Sequence, residues 1–141
     1  MARINTYLTF NGNCREAMVF YHSILGGDLF LQTISESPMS NKMPTDMKDL
    51  ILHSTLIKGE MKILASDMVG EKGLIRGNAV SLMLDCDSET DIQLFYEKLS
   101  ERGQTTHPLE TTFWGALFGD LTDKFGIQWL LHFDKTKVSP Q

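Results

Sequence analysis

Residues 4–27, INTYLTFNGNCREAMVFYHSILGG, predict a β-strand followed directly by an amphipathic α-helix. The first seven residues of this stretch are rich in β-branched and aromatic side chains, and alternate positions share a face. Asn13 is placed to cap the helix, with Glu16 three residues later at capping-box spacing. One helical stripe then recurs at the intervals i, i+3, i+4, i+7 and i+8, and it comprises Ala17, Phe20, Tyr21, Ile24 and Leu25. Gly26-Gly27 ends the helix, and a second strand is predicted at 29–34.

The same order of elements begins again at residue 79. At an offset of 75 residues, Ser88 takes the place of Asn13, and Phe95-Tyr96 takes the place of Phe20-Tyr21. The remaining predicted strands cover 50–57 and 61–66 in the first half, and 79–86, 104–109, 112–121 and 127–133 in the second. The sequence therefore predicts an α+β fold made of two strand–helix–three-strand (βαβββ) modules.

Each predicted module has four strands and a single helix, which can cover only one face of a sheet. The other face must be buried against something else. We expect modules of about 1–68 and 79–135 to form one domain, 1–141, whose mixed sheet curls into a cup. Such a cup holds a ligand, a lid or packed side chains. The alternative is an ordinary α+β sandwich in which the repeat is accidental.

Composition indicates a soluble globular protein and disfavours several functional classes. The chain has 141 residues, of which 42% are hydrophobic and 22% charged, with 8 Phe and 8 Met available for a core. A net charge of −5 without a Lys/Arg cluster disfavours nucleic acid as a partner. The sequence predicts neither a membrane span nor a secretion signal. Cys14 and Cys86 are too few for a disulfide framework, so a reducing, cytoplasmic location is expected.

The segment 35–49 contains two Pro and few periodic apolar residues, which predicts a long loop. Met39, Met43 and Met47 recur in it at every fourth position. Adaptable Met side chains suit a short helix that closes the mouth of a cup. A contact between two subunits is equally consistent with this pattern, so the role of the loop stays open.

Short motifs carry a family resemblance along nearly the whole chain, apart from 35–49. They are YLTFNGNC at 7–14, Phe20-Tyr21, Gly26-Gly27, Ser66-Asp67, TFWG at 112–115, Phe118-Gly119, TDKFG at 122–126 and Trp129. Together they resemble the vicinal oxygen chelate superfamily of glyoxalases, bleomycin-resistance proteins and dioxygenases, and in particular its PhnB-like branch. The resemblance implies the glyoxalase/bleomycin resistance/dioxygenase fold, a homodimer, and a cytoplasmic bacterial protein.

The resemblance also implies where a metal ion would bind. In metal-dependent members, His, Glu or Gln from the first and last strands of each module hold a divalent ion at the floor of the cup. Carried over, these positions fall on Tyr7, Ser81, Leu130 and a residue near Ile63 or Ala65. None of these side chains is a good ligand for zinc, nickel, manganese or iron. We therefore expect no metal site and no cofactor.

A displaced metal site is the alternative, because a shift of two residues along a strand keeps the same face. That shift replaces Leu130 by His132 and Ala65 by Asp67, and His53 on the preceding strand could join them. A divalent ion at His53, Asp67 and His132 is thus the fallback prediction. The competing interpretation is that the histidines are hydrogen bonded and that Asp67, just after a strand, accepts backbone N–H bonds.

Strand parity predicts which side chains line the cup. The candidate ligand-binding residues are Tyr7, Thr9, His53, Asp67, Ser81, Met83, Trp114 and Phe118. Aromatic and apolar walls with a few polar groups are typical of small-molecule pockets. We expect Tyr7 to act as a hydroxyl donor, His53 as donor or acceptor, and Trp114 as a stacking wall. Trp114 and Phe118 filling the cup as core is equally consistent with the pattern.

Three functions follow from these patterns. The leading prediction is metal-free binding of a small, partly apolar molecule, for sequestration or an unrecognised catalytic role. The second is a divalent-metal-dependent lyase, isomerase, dioxygenase or thiol transferase acting on vicinal oxygens, and the third is a non-catalytic dimeric scaffold. No catalytic residue is assigned, since Cys14 and Cys86 are expected to be unreactive. A methyltransferase, a label carried by some relatives, is disfavoured because no glycine-rich strand–helix motif is present to cradle its cofactor.

Overall fold

Eight strands and two α-helices follow one another in the same order in both halves of the chain. The computed structural model describes residues 2–137. The elements are β1 Thr6–Thr9, α1 Cys14–Leu25, β2 Asp28–Thr33, β3 Ile51–Lys58, β4 Met61–Ser66, β5 Leu82–Asp85, α2 Glu89–Leu99, β6 Gln104–Thr111, β7 Ala116–Thr122 and β8 Gln128–Asp134. Short 3-10 helices cover Thr45–Met47 and Lys135–Lys137. The predicted repeat of the βαβββ order is confirmed.

Each half forms its own four-stranded mixed sheet. The strand order is β1-β4-β3-β2 in the first sheet and β5-β8-β7-β6 in the second. In both sheets the first strand runs parallel to the last strand of its half, and the other neighbours are antiparallel. Two compact units, Met1–Ile75 and Arg76–Gln141, each hold one sheet and one helix. The α+β class is confirmed, while the module bounds 1–68 and 79–135 within a single domain stay predictions.

Helix α1 covers one face of the first sheet. Leu8, Leu56 and Ala65 lie on that face and are at most 9% exposed, and Cys14 Sγ of the helix lies 3.6 Å from Ser54 Oγ of β3. Because successive strand residues point to opposite faces, their neighbours point away from the helix. The surface of this sheet that points away from α1 is called the first open face. It comprises Tyr7, Thr9, Phe30, His53, Thr55, Ile57 and Leu64.

Helix α2 covers the second sheet in the same way. Its residues Ile92, Tyr96 and Leu99 are buried, as are Leu131 and Trp129 of β8. The surface directed away from α2 is called the second open face, and it comprises Met83, Asp85, Phe118, Asp120, Leu130 and His132. A mainly antiparallel sheet commonly has one covered face and one more polar face.

The two helices begin differently from one another. Ser88 caps α2 as predicted, since its Oγ accepts the Asp91 N–H at 3.0 Å. The capping box predicted at Asn13 is wrong, because the Asn13 side chain makes no capping hydrogen bond. The Asp67 carboxylate takes its place at α1 and accepts the N–H groups of Gly12 and Cys14. A negative charge at a helix N-terminus also interacts favourably with the helix dipole.

The strand predicted over 112–121 is wrong over its first four residues. Residues 112–115 form a turn between β6 and β7, in which the Gly115 N–H donates to the Thr112 carbonyl. Gly115 has a φ of +90°, a conformation that favours glycine. Consequently Trp114 lies in the turn and not on the strand that carries Phe118. No helix within residues 2–137 is long and apolar enough to cross a membrane.

Candidate functional site

The first open face brings aromatic and polar side chains together across four strands. The strand registers pair Tyr7 with Leu64, Leu64 with Thr55, and Thr55 with Phe30. Tyr7 is 56% and Phe30 57% exposed. His53 joins this row, since its Nε2 lies 3.2 Å from Thr55 Oγ1 and its ring centroid lies 6.3 Å from that of Phe30. Two exposed rings thus flank a hydrogen-bonded imidazole–hydroxyl pair.

The hydroxyl of Tyr7 is already engaged within the sheet. It donates to Ser66 Oγ at 2.9 Å, and the same Ser66 oxygen accepts the Met68 N–H at 3.2 Å. Thr9 is the strand partner of Ser66 and lies on the same face as Tyr7. Because its proton points to Ser66, the Tyr7 oxygen is arranged to accept a hydrogen bond from a ligand, which corrects the donor role expected from the sequence.

Asp67 is held by the backbone of its own unit. Its side chain is buried, with Oδ1 accepting the N–H groups of Gly12 and Cys14 at 2.9 and 3.0 Å, and Oδ2 accepting the Ile51 N–H at 2.8 Å. Three backbone donors satisfy both carboxylate oxygens. This geometry favours a structural role for Asp67 over contact with a ligand or a metal ion.

The second open face carries two aspartate–histidine pairs. Asp85 Oδ1 lies 2.7 Å from His132 Nδ1 on the neighbouring strand. His107 Nδ1 lies 3.0 Å from both carboxylate oxygens of Asp120. Met83 and Phe118 also lie on this face, opposite Leu130 and His132 respectively. Met83 and Phe118 therefore share their surface with the Asp85–His132 and His107–Asp120 pairs, of which the sequence analysis considered only His132.

Ser81 lies just before β5 and borders a hollow of about 250 Å³ in the second unit. Its Oγ lies 3.4 Å from Gln128 Oε1. The lining residues are Asn78, Ser81, Thr106, Asp120, Leu121, Thr122, Gln128, Trp129 and Leu130. Trp114 is not among them, since it lies in the 112–115 turn with its ring edge-on to Phe113 at 4.8 Å.

The eight predicted binding residues therefore fall into separate groups. Tyr7, Thr9 and His53 share the first open face, whereas Met83 and Phe118 share the second. Ser81 borders the hollow, Asp67 is buried beneath α1, and Trp114 lies in a turn. Phe30 and Thr55 were missed by the sequence analysis, although their strand parity could have identified them once His53 was placed. Asp120 and His107 gave no motif-level signal.

Strand register corrects two of the positions expected for metal ligands. Tyr7 lies opposite Leu64, so Ile63 and Ala65 point toward α1 and are buried. Met83 lies opposite Leu130 as Tyr7 lies opposite Leu64, which makes Met83 the counterpart of Tyr7 in place of Ser81. Tyrosine, methionine and two leucines do not fit an ion held by His, Glu or Gln. Within residues 2–137, no group of three or more His, Cys, Asp or Glu is placed to hold a metal ion.

Both cysteines are in surroundings that suppress their reactivity. Burial raises the pKa of Cys14 to about 11, although the hydrogen bond with Ser54 opposes this shift. Burial, followed by the charge of Asp91, raises the pKa of Cys86 to about 12. Because the thiolate is the nucleophilic form, neither geometry favours thiol catalysis at neutral pH.

Known proteins resemble this chain over nearly its whole length. Residues 2–132 match the model of the family described as 3-demethylubiquinone-9 3-methyltransferase. The structure of protein PA1353 from Pseudomonas aeruginosa is 36% identical with a TM-score of 0.81, covering 95% of this chain and 98% of that one. The PhnB protein from Bacillus cereus is 28% identical with a TM-score of 0.72, covering 94% and 99%.

A more distant structure shows the wider fold. A member of the glyoxalase/bleomycin resistance protein/dioxygenase superfamily from Sphaerobacter thermophilus is 19% identical with a TM-score of 0.59, covering 94% of this chain and 98% of that one. At this identity the likeness concerns the fold alone. The family match and the paired βαβββ sheets agree with one another. The chain therefore belongs to the PhnB-like 3-demethylubiquinone-9 3-methyltransferase family, whose fold is that of the glyoxalase/bleomycin resistance/dioxygenase superfamily.

Proposed function

We propose that this protein binds a small, partly apolar molecule on its first open face, without a metal ion, as a cytoplasmic bacterial homodimer. The observation that carries the proposal is the exposure of Tyr7 and Phe30 on either side of the His53–Thr55 pair. Large apolar side chains left exposed beside a few polar groups are characteristic of binding surfaces. The second-half candidates Ser81, Met83, Trp114 and Phe118 stay predictions as ligand-binding residues.

The first open face offers complementary groups to such a ligand. The rings of Phe30 and Tyr7 supply apolar area and edges for stacking. With Nε2 directed at Thr55, His53 has its second ring nitrogen bonded to no residue of the part that the structure describes. The Tyr7 oxygen accepts, and His53 donates or accepts according to its tautomer. A flat or aromatic molecule with one or two polar substituents fits this set best.

The chemistry of the strand positions supports binding without a metal. The two register-matched pairs, Tyr7 with Leu64 and Met83 with Leu130, offer no imidazole or carboxylate. The carboxylate of Asp67, one member of the displaced site, is already satisfied by three backbone donors. The donor set thus disfavours the alternative of a metal-dependent lyase, isomerase, dioxygenase or thiol transferase.

Methyl transfer, which the family description names, is not supported by the helix termini. Nucleotide-type cofactors bind where free backbone N–H groups at a helix N-terminus meet a negative group. At α1 the Cys14 N–H is taken by Asp67, and at α2 the Asp91 N–H is taken by Ser88. The sequence also lacks the glycine-rich turn of such sites.

A ligand panel tests the binding proposal. We expect aromatic metabolites with polar substituents to raise the melting temperature and to bind in calorimetric titration after treatment with a chelator. Phe30→Ala should weaken binding about tenfold, since a stacked ring contributes about 1.4 kcal/mol. Val19→Ala, on the exposed side of α1, is the matched control and should leave the affinity unchanged. Ligands that bind Phe30→Ala and the native chain equally would contradict the proposal.

Elemental analysis tests the metal-free part separately. We expect substoichiometric metal in protein purified without chelator, and no stabilisation by added zinc, nickel or manganese. One bound ion per chain that is lost in His53→Ala or His132→Ala would instead support the displaced site.

A further inference from the structure

The edge of the second sheet contains a bulge that borders the hollow. Thr105 pairs with Leu121 and His107 pairs with Asp120, so Thr106 is an extra residue on β6 without its own partner on β7. Thr106 and Asp120 both line the hollow. Bulges of this kind are often found next to functional sites, where they redirect a side chain.

Other residues are arranged to hold this bulge in place. The buried Tyr96 hydroxyl lies 2.9 Å from the His107 carbonyl and 3.0 Å from the Asp120 carbonyl, so it holds both sides of the bulge. Gly119 is tightly enclosed, since a Cβ there would lie 3.0 Å from the His107 carbonyl oxygen. Glycine within a strand commonly marks such a close backbone approach. The Asp120 carboxylate is in turn oriented by His107 Nδ1 at 3.0 Å.

The lining of the hollow is about equally polar and apolar, and Asp120 is the one acidic residue among its described lining residues. Hydroxyls come from Ser81, Thr106 and Thr122, and amides come from Asn78 and Gln128. Hydroxyl and amide groups both donate and accept hydrogen bonds, whereas the Asp120 carboxylate only accepts them. No Lys or Arg is among the lining residues of the described chain, so an anionic ligand would meet the Asp120 carboxylate with no lining Lys or Arg to offset it. A purely apolar ligand would leave these polar groups without partners.

We propose that this hollow binds a small, uncharged, hydroxyl-rich molecule, a polyol or monosaccharide, with Asp120 as the anchoring acceptor and Thr106 as a specificity-determining contact. The hollow of about 250 Å³ corresponds to about eight water molecules, which suits a ligand of about eight to twelve non-hydrogen atoms. Hydroxyl groups that donate to Asp120 and exchange hydrogen bonds with Thr106 and Gln128 complement the lining. This site lies in the second unit and does not depend on the first open face.

Chemical-shift titration of the full-length ¹⁵N-labelled chain tests the proposal. The probes are myo-inositol and D-glucose, with cyclohexanol and inorganic phosphate as comparison compounds. We expect both polyols to shift amides of β6, β7 and β8 around Thr106 with a dissociation constant in the millimolar range, and the comparison compounds to shift none of them. Thr106→Val and Asp120→Asn should each weaken binding about three- to tenfold, which is the loss of one hydrogen bond.

Two control variants distinguish binding in the hollow from effects of substitutions elsewhere in the chain. Thr90→Val, an exposed threonine on α2, should leave polyol binding unchanged. Phe30→Ala should also leave it unchanged, whatever that variant does to a ligand of the first open face. The proposal is overturned if neither polyol shifts these amides, if Thr106→Val and Asp120→Asn bind as well as the native chain, or if phosphate binds equally.

Discussion

At the scale of single residues, the buried carboxylate of Asp123 accounts for the most specific motif of the chain. Its Oδ1 accepts the N–H groups of Phe125 and Ile127 at 2.8 and 3.0 Å. Its Oδ2 accepts the indole N–H of Trp129 at 2.9 Å. The TDKFG segment and Trp129 therefore form one hydrogen-bonded unit, in which the turn between β7 and β8 is fixed to the core of the second unit.

Replacing Asp123 by asparagine tests this unit. One amide oxygen can still serve the turn, but the new NH₂ group faces the Trp129 indole donor, so we expect a loss of about 2 kcal/mol in unfolding free energy. In a Trp129→Phe background, Asp123→Asn should cost at least about 1 kcal/mol less, because the opposing donor is gone. Urea unfolding of the native chain, the two single variants and the double variant gives the coupling energy between Asp123 and Trp129. Asp46→Asn, at an exposed site, is the control. Strictly additive losses would contradict the arrangement.

Local sequence patterns identified the residues that form turns and helix starts better than they identified the distant residues that hydrogen bond to them. The predicted strands 112–121 and 127–133 leave a gap that falls on the turn at 123–126, where Asp and Gly are typical of a tight turn. The cap of α1 was assigned to Asn13, yet Asp67 occupies the helix N-terminus from the far end of β4. A competing acceptor that is distant in sequence cannot be identified from the residues beside the helix.

The buried thiol of Cys14 and the half-buried thiol of Cys86 predict how stability depends on alkaline pH. Burial raises the pKa of Cys14 to about 11 and that of Cys86 to about 12, from an ordinary value of 9.0. The unfolded chain therefore loses these protons first as the pH rises above 9.0, and the folded state alone retains them. Stability should be fully present below that pH and should fall progressively toward about pH 11 to 12.

Urea unfolding across this alkaline range measures the effect. Cys14→Ala should be less stable at neutral pH, because it leaves a small cavity. Its stability should nevertheless decline less steeply with pH than that of the native chain, since one raised thiol pKa has been removed. Equal slopes for the two chains would show that ionisation of Cys14 does not contribute to the loss.

At the scale of elements, the junction between α1 and β2 depends on a glycine for two reasons. Gly27 has a φ of +91°, and a Cβ built on it would lie 2.4 Å from the Ile57 carbonyl oxygen on β3. Gly59, in the β3–β4 hairpin, also has a positive φ of +58° but has nothing within 4 Å of such a Cβ. Substitution of Gly59 therefore tests backbone strain alone, whereas substitution of Gly27 tests backbone strain together with steric overlap.

Alanine substitution at these two glycines should give very different losses. Gly59→Ala should cost about 1 kcal/mol, which is the strain of a left-handed conformation. Gly27→Ala should cost more than about 3 kcal/mol, because β2 and β3 must also move apart. Thermal or urea unfolding measures both, and similar losses would contradict the close approach of Gly27 to β3.

Strand boundaries were predicted best where hydrophobic alternation and a turn agreed. The strand at 61–66 is reproduced residue for residue, since Gly59 marks the hairpin before it. The 112–121 strand failed because Thr112, Phe113 and Trp114 all favour strands by their side chains, while the positive φ of Gly115 determines the turn. The bulge at Thr106 likewise depends on pairing with β7, which periodicity along β6 alone does not contain.

At the scale of the whole molecule, the two units share one fold but have different surfaces. Corresponding strand pairs carry Tyr7 with Leu64 in the first sheet and Met83 with Leu130 in the second. The next pairs are Thr9 with Ser66 and Asp85 with His132. The repeat could be predicted because both halves bury the same helical stripe. The open faces do not pack against a helix, so their side chains can differ between the two units. One face is therefore aromatic and the other carries aspartate–histidine pairs.

For the molecule as a whole, its exposed apolar residues predict self-association. Phe113 is 97% exposed and Trp114 beside it is 55% exposed, in the turn between β6 and β7. Burying such a ring contributes about 1.5 kcal/mol or more, and a two-fold symmetric dimer counts each residue twice. If this turn lies in the interface, Phe113→Ser should raise the dimer dissociation constant by about two orders of magnitude.

Sedimentation equilibrium should give twice the 15.9 kDa chain mass for the native protein and for the Val19→Ser control, and a lower average mass for Phe113→Ser. A native protein that sediments as a monomer at all concentrations would contradict the homodimer, and an unchanged Phe113→Ser variant would place the interface elsewhere.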